Sequence, residues 1–394
     1  MFRVVIASVF AVALVVPTSA QNPQQAQTQA PPPAAPQLQG GGRGAQTPEQ
    51  FKAARDREIE AQKLTDAAWR KGSDGVMKME KVTYKSKAGG FTVPAFVFSP
   101  LQPRGPKGHP ALVWVHPDIR GHVYEYYIPY VQEAVKRGYV VIAPEYRGSY
   151  GYGAEHYDAI DYGGEEVEDV TSATEYLKTM PIVDIDRVGI IGWSHGGMIT
   201  LLAAERETKM FKAVVALVPV TNLFQRLAWN GVEQRKASID PQNRYGGLPF
   251  QKRDEYKRRS PIYQIDNIDV PVLVHITRND ADVVFEEAAQ LVDALRARKP
   301  FTSETKIYDN PLGAHLFDRM CPATLPGAGR RGGGAGAAGA PGAAAMPAAP
   351  PVQPDPTDLS RYVPTNTPEQ RDSWNRVWTF LDWNLRPYQG AAAK

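Results

Sequence analysis

Cysteine is almost missing from this chain. Its 394 residues include one, Cys321, so no internal disulfide can form and the fold must be held by its core. Long apolar runs are scarce as well. The longest, VVIASVFAVALVV, has 13 residues, too few for a membrane-spanning helix. No excess of one charge sign exists: 45 Lys and Arg stand against 42 Asp and Glu, scattered rather than striped, which argues against a nucleic-acid partner. There is no H-E-x-x-H pattern and no cysteine pair, so neither a metal nor another cofactor is expected.

The apolar run follows the basic start MFR and precedes the small residues TSA. Residues 1–20 therefore read as a cleaved secretory signal, giving a secreted or periplasmic protein with no membrane span after cleavage. Residues 21–46 are rich in Gln, Pro, Ala and Gly and are expected to be a disordered tether. In 47–75, Thr47, Pro48 and Gln50 form a capping signature that opens a polar helix. EKVTYKS and FTVPAFVFSP, on either side of Gly89-Gly90, read as a hairpin.

Within 76–320, short apolar runs such as ALVWVH, YVVIAP, RVGIIGW, KAVVALVP and VPVLVHI alternate with helical stretches. This alternation predicts an α/β fold: a doubly wound, mostly parallel sheet with helices on both faces. Residues 321–365 read as a low-complexity Gly/Ala/Pro insertion. In 366–388, Thr367, Pro368 and Gln370 cap a closing helix whose Trp374, Val377, Trp378 and Leu381 share one face.

The chemistry centres on GIIGWSHGGM. Gly192-Trp193-Ser194-His195-Gly196 is a G-x-S-x-G pattern between a strand and a helix, the setting of a nucleophile elbow. Ser194 is the candidate nucleophile. His195 is too close on a tight turn to be its base. It is expected to offer its backbone N–H to an oxyanion and its imidazole to the wall of the substrate pocket. Where the order is Ser, acid, His, the base must follow Ser194, and only His275 and His315 do so. His275 lies inside an apolar strand and reads as structural. His315, in the loop DNPLGAHLFD, is the candidate base. Asp280 or Asp282, in RNDADVVF, is its orienting acid, although either could equally cap the next helix. A second oxyanion donor is expected from VWVHPDIRGH: the Asp118 or Ile119 backbone or the His116 side chain, since Pro117 has no N–H. Trp193 and Tyr146, the latter in PEYRGSYGYG, are expected near the substrate. The acidic run EEVED (165–169) reads as a helix start complementing the dipole rather than a cation site.

DRVGIIGWSHGG, EYRGSYGYG, the stretch YKRRSPIYQIDNIDVPVLVHITRNDADVVFEEAAQLVDAL and GAH together resemble the catalytic domain of the prolyl oligopeptidase family, an α/β-hydrolase fold. The resemblance implies Ser194 as nucleophile, His315 as base and, counting back from Val283, Asp280 as acid. It implies a peptide substrate, with carboxyl esters as the alternative and a non-catalytic binding role as a different class. The chain departs from the family in three places. The segment before the hydrolase is too short for a β-propeller. His116 stands where many family peptidases carry a tyrosine. TNLFQRLAWN lacks the aromatic cluster of a proline pocket, for which Trp229 partly compensates.

Overall fold

Leu112 and Trp114 point to one face of a sheet, while Ala111, Val113 and Val115 point to the other. Both faces are covered, so a strand with no polar side becomes stable. The same division holds for Val188 and Ile190 against Ile191 and Trp193, and for Val214 and Ala216 against Val215 and Leu217. A computed structural model describes residues 48–229, 245–325, 355 and 357–388. The expected signal, the tether and most of the insertion lie outside the described residues.

Eight strands form one sheet: β1 (Lys78–Lys85), β2 (Thr92–Ser99), β3 (His109–Val115), β4 (Val140–Pro144), β5 (Val183–Trp193), β6 (Ala213–Leu217), β7 (Val272–Thr277) and β8 (Ser303–Tyr308). Their spatial order is β1-β2-β4-β3-β5-β6-β7-β8. The β1–β2 hairpin is antiparallel with Lys85 opposite Thr92, β2 runs antiparallel to β4, and every pair from β4 to β8 is parallel. The structure is thus the expected doubly wound α/β fold, extended by an antiparallel edge.

The helices are α1 (Pro48–Ser73), α2 (Ile128–Arg137), α3 (Ala154–Asp158), α4 (Glu165–Lys178), α5 (His195–Arg206), α6 (Leu223–Trp229), α7 (Arg253–Arg258), α8 (Phe285–Arg298) and α9 (Pro368–Leu385). α4, α5 and α8 pack on one face through residues such as Val170, Leu201 and Leu291, and α1, α2 and α9 cover the other through Trp69, Val131 and Val377. α2 stops where Gly138 turns left-handed at φ 104°, a conformation that suits glycine. At the start of α9 the Thr367 hydroxyl accepts the Gln370 N–H at 3.2 Å. Trp374, Val377, Trp378 and Leu381 are all buried, and each contributes about 1.5–3 kcal/mol on leaving water.

Parallel strands present their C-terminal ends on one edge of the sheet, where α/β folds place their sites. The loops after β3, β4, β5, β7 and β8 all open there. They hold the segments singled out around His116, Tyr146, Ser194, Asp280 and His315.

Candidate active site

β5 ends at Trp193 and α5 begins at His195, so Ser194 alone makes the turn, at φ 53° and ψ −118°. A side-chain-bearing residue held there stores about 1–3 kcal/mol of strain. Three backbone bonds hold it: its N–H donates to Leu217 O at 3.0 Å, and its carbonyl accepts from Met198 N at 3.0 Å and Val220 N at 3.2 Å. The flanking glycines are steric requirements. A Cβ on Gly192 would sit 2.3 Å from Gly196 O, and one on Gly196 would sit 2.4 Å from both Val115 O and His116 O. The glycines therefore let the start of α5 press directly against the loop after β3.

His315 lies in a 3₁₀ turn, Ala314–Arg319, entered through Gly313 at φ 94°. A Cβ on Gly313 would fall 2.1 Å from Met320 Sδ, so the turn is closed to larger residues. His315 Nδ1–H donates to Asp280 Oδ2 at 2.7 Å. The other oxygen, Asp280 Oδ1, accepts the N–H groups of Asp282 at 2.8 Å and Val283 at 2.9 Å. The Asp282 side chain is exposed. Of the two aspartates left open by the residue pattern, the structure brings Asp280 to His315. Burial, the largest influence, works against protonating His315. The charge and hydrogen bond of Asp280, with the charge of Asp282, outweigh it and hold the imidazole above its ordinary pKa.

The expected pocket-wall role of the His195 ring does not hold. The residue is 1% exposed. Its Nε2 lies 3.2 Å from Glu166 Oε1, and its Nδ1 lies 3.3 Å from the Tyr146 hydroxyl and 3.4 Å from Asp118 O. The backbone N–H of His195 opens α5 and has no acceptor within that helix.

His116 as a side-chain oxyanion donor is also corrected. Its ring is fully buried and stacked on Tyr146, with centroids 4.1 Å apart. Nδ1 bonds Pro117 O at 2.8 Å and Nε2 bonds Ser149 Oγ at 2.9 Å, so both nitrogens are engaged. Burial drives its pKa down to about 3, and burial likewise pushes the neighbouring Glu145 carboxyl up to about 8. Asp118 takes a left-handed conformation at φ 70°, which aspartate tolerates better than most residues. Its carboxylate accepts the Tyr124 hydroxyl at 2.7 Å, and its carbonyl accepts the Tyr146 hydroxyl at 3.1 Å. Among the described residues, neither the Asp118 nor the Ile119 N–H has a backbone acceptor.

Two expected substrate residues are core residues. Trp193 is fully buried against Trp114, Tyr127 and Trp374, and Tyr146 is fully buried over His116. Neither presents a face to a ligand. Trp229 ends α6, and its side chain lies outside the described residues. His275 sits buried on β7, with Nδ1 2.9 Å from Ser373 Oγ, and burial holds its pKa down to about 3.

The residue pattern missed three buried charges around the site. Glu166 was absorbed into an acidic helix start, yet it is fully buried and bonds His195 as well as the N–H groups of Gly163 and Gly164. Asp318 Oδ2 accepts the Trp193 indole N–H at 2.7 Å, and its carbonyl accepts the Trp374 indole N–H at 2.7 Å. Arg319 donates to His315 O at 2.7 Å and to Asp318 Oδ1 at 3.3 Å. For Asp318 and Arg319 the only sequence signal was proximity: polar residues inside HLFDR, directly after the candidate base.

Among the described residues, no group of three or more His, Cys, Asp or Glu side chains is arranged to hold a metal ion, and no helix is long and apolar enough to cross a membrane.

Comparison with known proteins bears on this geometry. The chain is 29% identical over 246 residues to the uncharacterized peptidase YuxL of Bacillus subtilis, covering 61% of this chain and 36% of that protein. It is 32% identical over 198 residues to dipeptidyl-peptidase 5 of Porphyromonas gingivalis, covering 47% of this chain and 28% of that protein. A solved puromycin-hydrolyzing peptidase of Mycobacterium tuberculosis superposes with a TM-score of 0.52 at 25% identity, covering 61% of this chain and 36% of that one. The chain thus spans roughly a third of the length of the curated relatives it matches. Residues 126–315, which run from before α2 to His315 itself, match the model of the prolyl oligopeptidase family. With the α/β-hydrolase sheet and the strained serine elbow, this match makes residues 126–315 a prolyl oligopeptidase family domain.

Proposed function

We propose that the protein is a secreted serine peptidase that cleaves peptide bonds through an acyl-enzyme. Ser194 Oγ attacks the scissile carbonyl carbon while its proton passes to His315 Nε2. Asp280 holds the opposite ring nitrogen and stabilises the imidazolium. The tetrahedral oxyanion takes hydrogen bonds from the His195 N–H and from the Asp118 or Ile119 N–H. Collapse breaks the C–N bond, and the amine leaves with the proton from His315. Water, deprotonated by His315, then attacks the ester and releases the acid and free Ser194.

The observation that carries this reading is the 2.7 Å His315–Asp280 bond on the same sheet edge as a serine held at φ 53°. Peptides are the substrate of choice because the relatives are named as peptidases. Export rests on the basic start and short apolar run of residues 1–20.

Labelling with a fluorophosphonate, with Ser194→Ala as control, tests the nucleophile. Folded protein that stays unlabelled at Ser194 sinks the reading. Peptide anilides and p-nitrophenyl esters are then compared, and turnover confined to esters would replace the peptidase by a carboxylesterase.

A further inference from the structure

The histidine beside Ser194 does more than supply a main-chain N–H. Its ring bridges two segments that must be in register. On one side, Nε2 meets the Glu166 carboxylate at 3.2 Å. Glu166 is itself fixed, accepting the Gly163 N–H on Oε1 and the Gly164 N–H on Oε2 at 3.3 Å. On the other side, Nδ1 faces Asp118 O at 3.4 Å and the Tyr146 hydroxyl at 3.3 Å. Tyr146 Oη in turn lies 3.1 Å from both His116 O and Asp118 O. The whole path is buried: Glu166 and Tyr146 are 0% exposed and His195 is 1% exposed.

Burial of a carboxylate is costly, and a chain of buried polar groups is stable only when each member is satisfied. Here burial raises the pKa of Glu166, but the hydrogen bond and charge of His195 and the backbone N–H groups of Gly163 and Glu166 overcome that and keep the carboxyl below its usual value. A hydrophobic residue of similar size would fill this space without the desolvation cost. What the polar path adds is direction. It aims two carbonyls of the loop after β3, at His116 and Asp118, inward toward α4 and α5. A peptide unit whose carbonyl is held inward turns the following N–H the other way. Holding Asp118 O therefore sets the orientation of the Ile119 N–H.

We infer that Glu166 is a positioning residue for the oxyanion site: through His195 and Tyr146 it fixes the 116–119 loop against the Ser194 elbow. This rests on the serine-peptidase reading above. Glu166 touches neither substrate nor nucleophile, so its effect lies on the transition state rather than on substrate binding. A loop loosened by a fraction of an ångström weakens hydrogen bonds to the oxyanion, which are strong only when preorganised.

The test uses the full chain and three variants: Glu166→Gln, His195→Gln and Tyr146→Phe. For each, kcat and KM on a peptide anilide, the second-order rate of fluorophosphonate labelling and the thermal midpoint are measured, with rates normalised to folded protein. The inference expects Glu166→Gln to lower kcat and the labelling rate together by about 10- to 100-fold, with KM changed less than about threefold. Glu166→Gln and His195→Gln should be non-additive when combined, because they break one path. Tyr146→Phe, which leaves the Glu166–His195 contact intact, should lower kcat by a smaller factor. Loss of thermal stability with kcat and labelling unchanged overturns the inference, as does a rise in KM alone. Should wild-type protein itself resist labelling, the serine-peptidase reading fails first, and the two failures are thereby distinct.

Discussion

Asp318 accepts the indole N–H of Trp193 at 2.7 Å, which ties the loop that carries His315 to the residue just before Ser194. The two lie 125 residues apart in the chain, and both are fully buried. Asp318 also faces Arg319, whose guanidinium is 1% exposed. Removing one partner of a buried pair strands the other charge. Asp318→Ala should therefore cost about 3–5 kcal/mol in urea unfolding, while Trp193→Phe, which removes one hydrogen bond, should cost about 1–3 kcal/mol. Equal, small losses for the two would mean that Asp318 is not the anchor of this loop.

Asp280 and Asp282 separate by contact. Asp280→Asn leaves the shape but loses the charge facing His315, and kcat should fall by about 10⁴-fold. Asp282 is exposed and contributes to His315 only through its charge, so Asp282→Asn should change kcat less than about tenfold. Steady-state rates on one anilide substrate suffice, and the opposite ranking rejects Asp280 as the orienting acid.

The pH profile follows from His315. Its pKa is raised, so the neutral form needed to accept the Ser194 proton prevails only above the ordinary histidine range. The acidic limb of kcat/KM should lie above about 6.5, and Asp280→Asn should move it to lower pH. Stability runs the opposite way. A group whose folded pKa is raised contributes fully below its unfolded value, and the contribution fades as pH climbs through the folded value. Between those two values, activity should rise while the His315–Asp280 contribution to stability falls. An acidic limb unmoved in Asp280→Asn would count against His315 as the titrating group.

Strain at Ser194 predicts an order of stabilities. Glycine accepts φ 53°, whereas alanine retains the clash. Ser194→Gly should be more stable than Ser194→Ala by about 1–2 kcal/mol, and both should lack activity. Urea unfolding midpoints decide it, and a more stable alanine variant would show that the elbow is unstrained.

Glu205, on α5, is 3% exposed, and neither carboxyl oxygen has a hydrogen-bond partner among the described residues. Burial raises its pKa well above the usual carboxylate value. A raised carboxyl favours folding only while the solution keeps it protonated in both states. As pH rises above its unfolded value, near 4.3, stability falls by up to about 1.4 kcal/mol per pH unit until the folded value is reached. Glu205→Met should therefore stabilise the protein at pH 7, with the gain shrinking toward pH 4. Thermal midpoints across that range test it, and a gain independent of pH would contradict the assignment.

Much of the site was legible because its signals are local. The glycines around Ser194 report a turn that nothing larger fits, and the apolar strands before it report a sheet covered on both faces. Asp280 and Asp282 looked alike in RNDADVVF, since each precedes a helix. The resemblance pointed to Asp280, and the structure brings His315 Nδ1 to Asp280 Oδ2. Trp193 was expected at the substrate, although strand alternation places it with Ile191 on the core face, so that signal was present and unused. Glu166 carried no usable signal, because an acid at a helix start satisfies the dipole whether it is exposed or buried.

By itself, the sequence determined the parallel α/β sheet and the serine elbow. Each depends on neighbours a few residues away: a pleat of period two, a helix of period 3.6, a turn that only glycine permits. Tertiary structure decided which aspartate meets His315, where the His195 ring points and what anchors the histidine loop. Those outcomes rest on contacts across 35, 29 and 125 residues, set by how the layers pack and which buried polar group finds a partner.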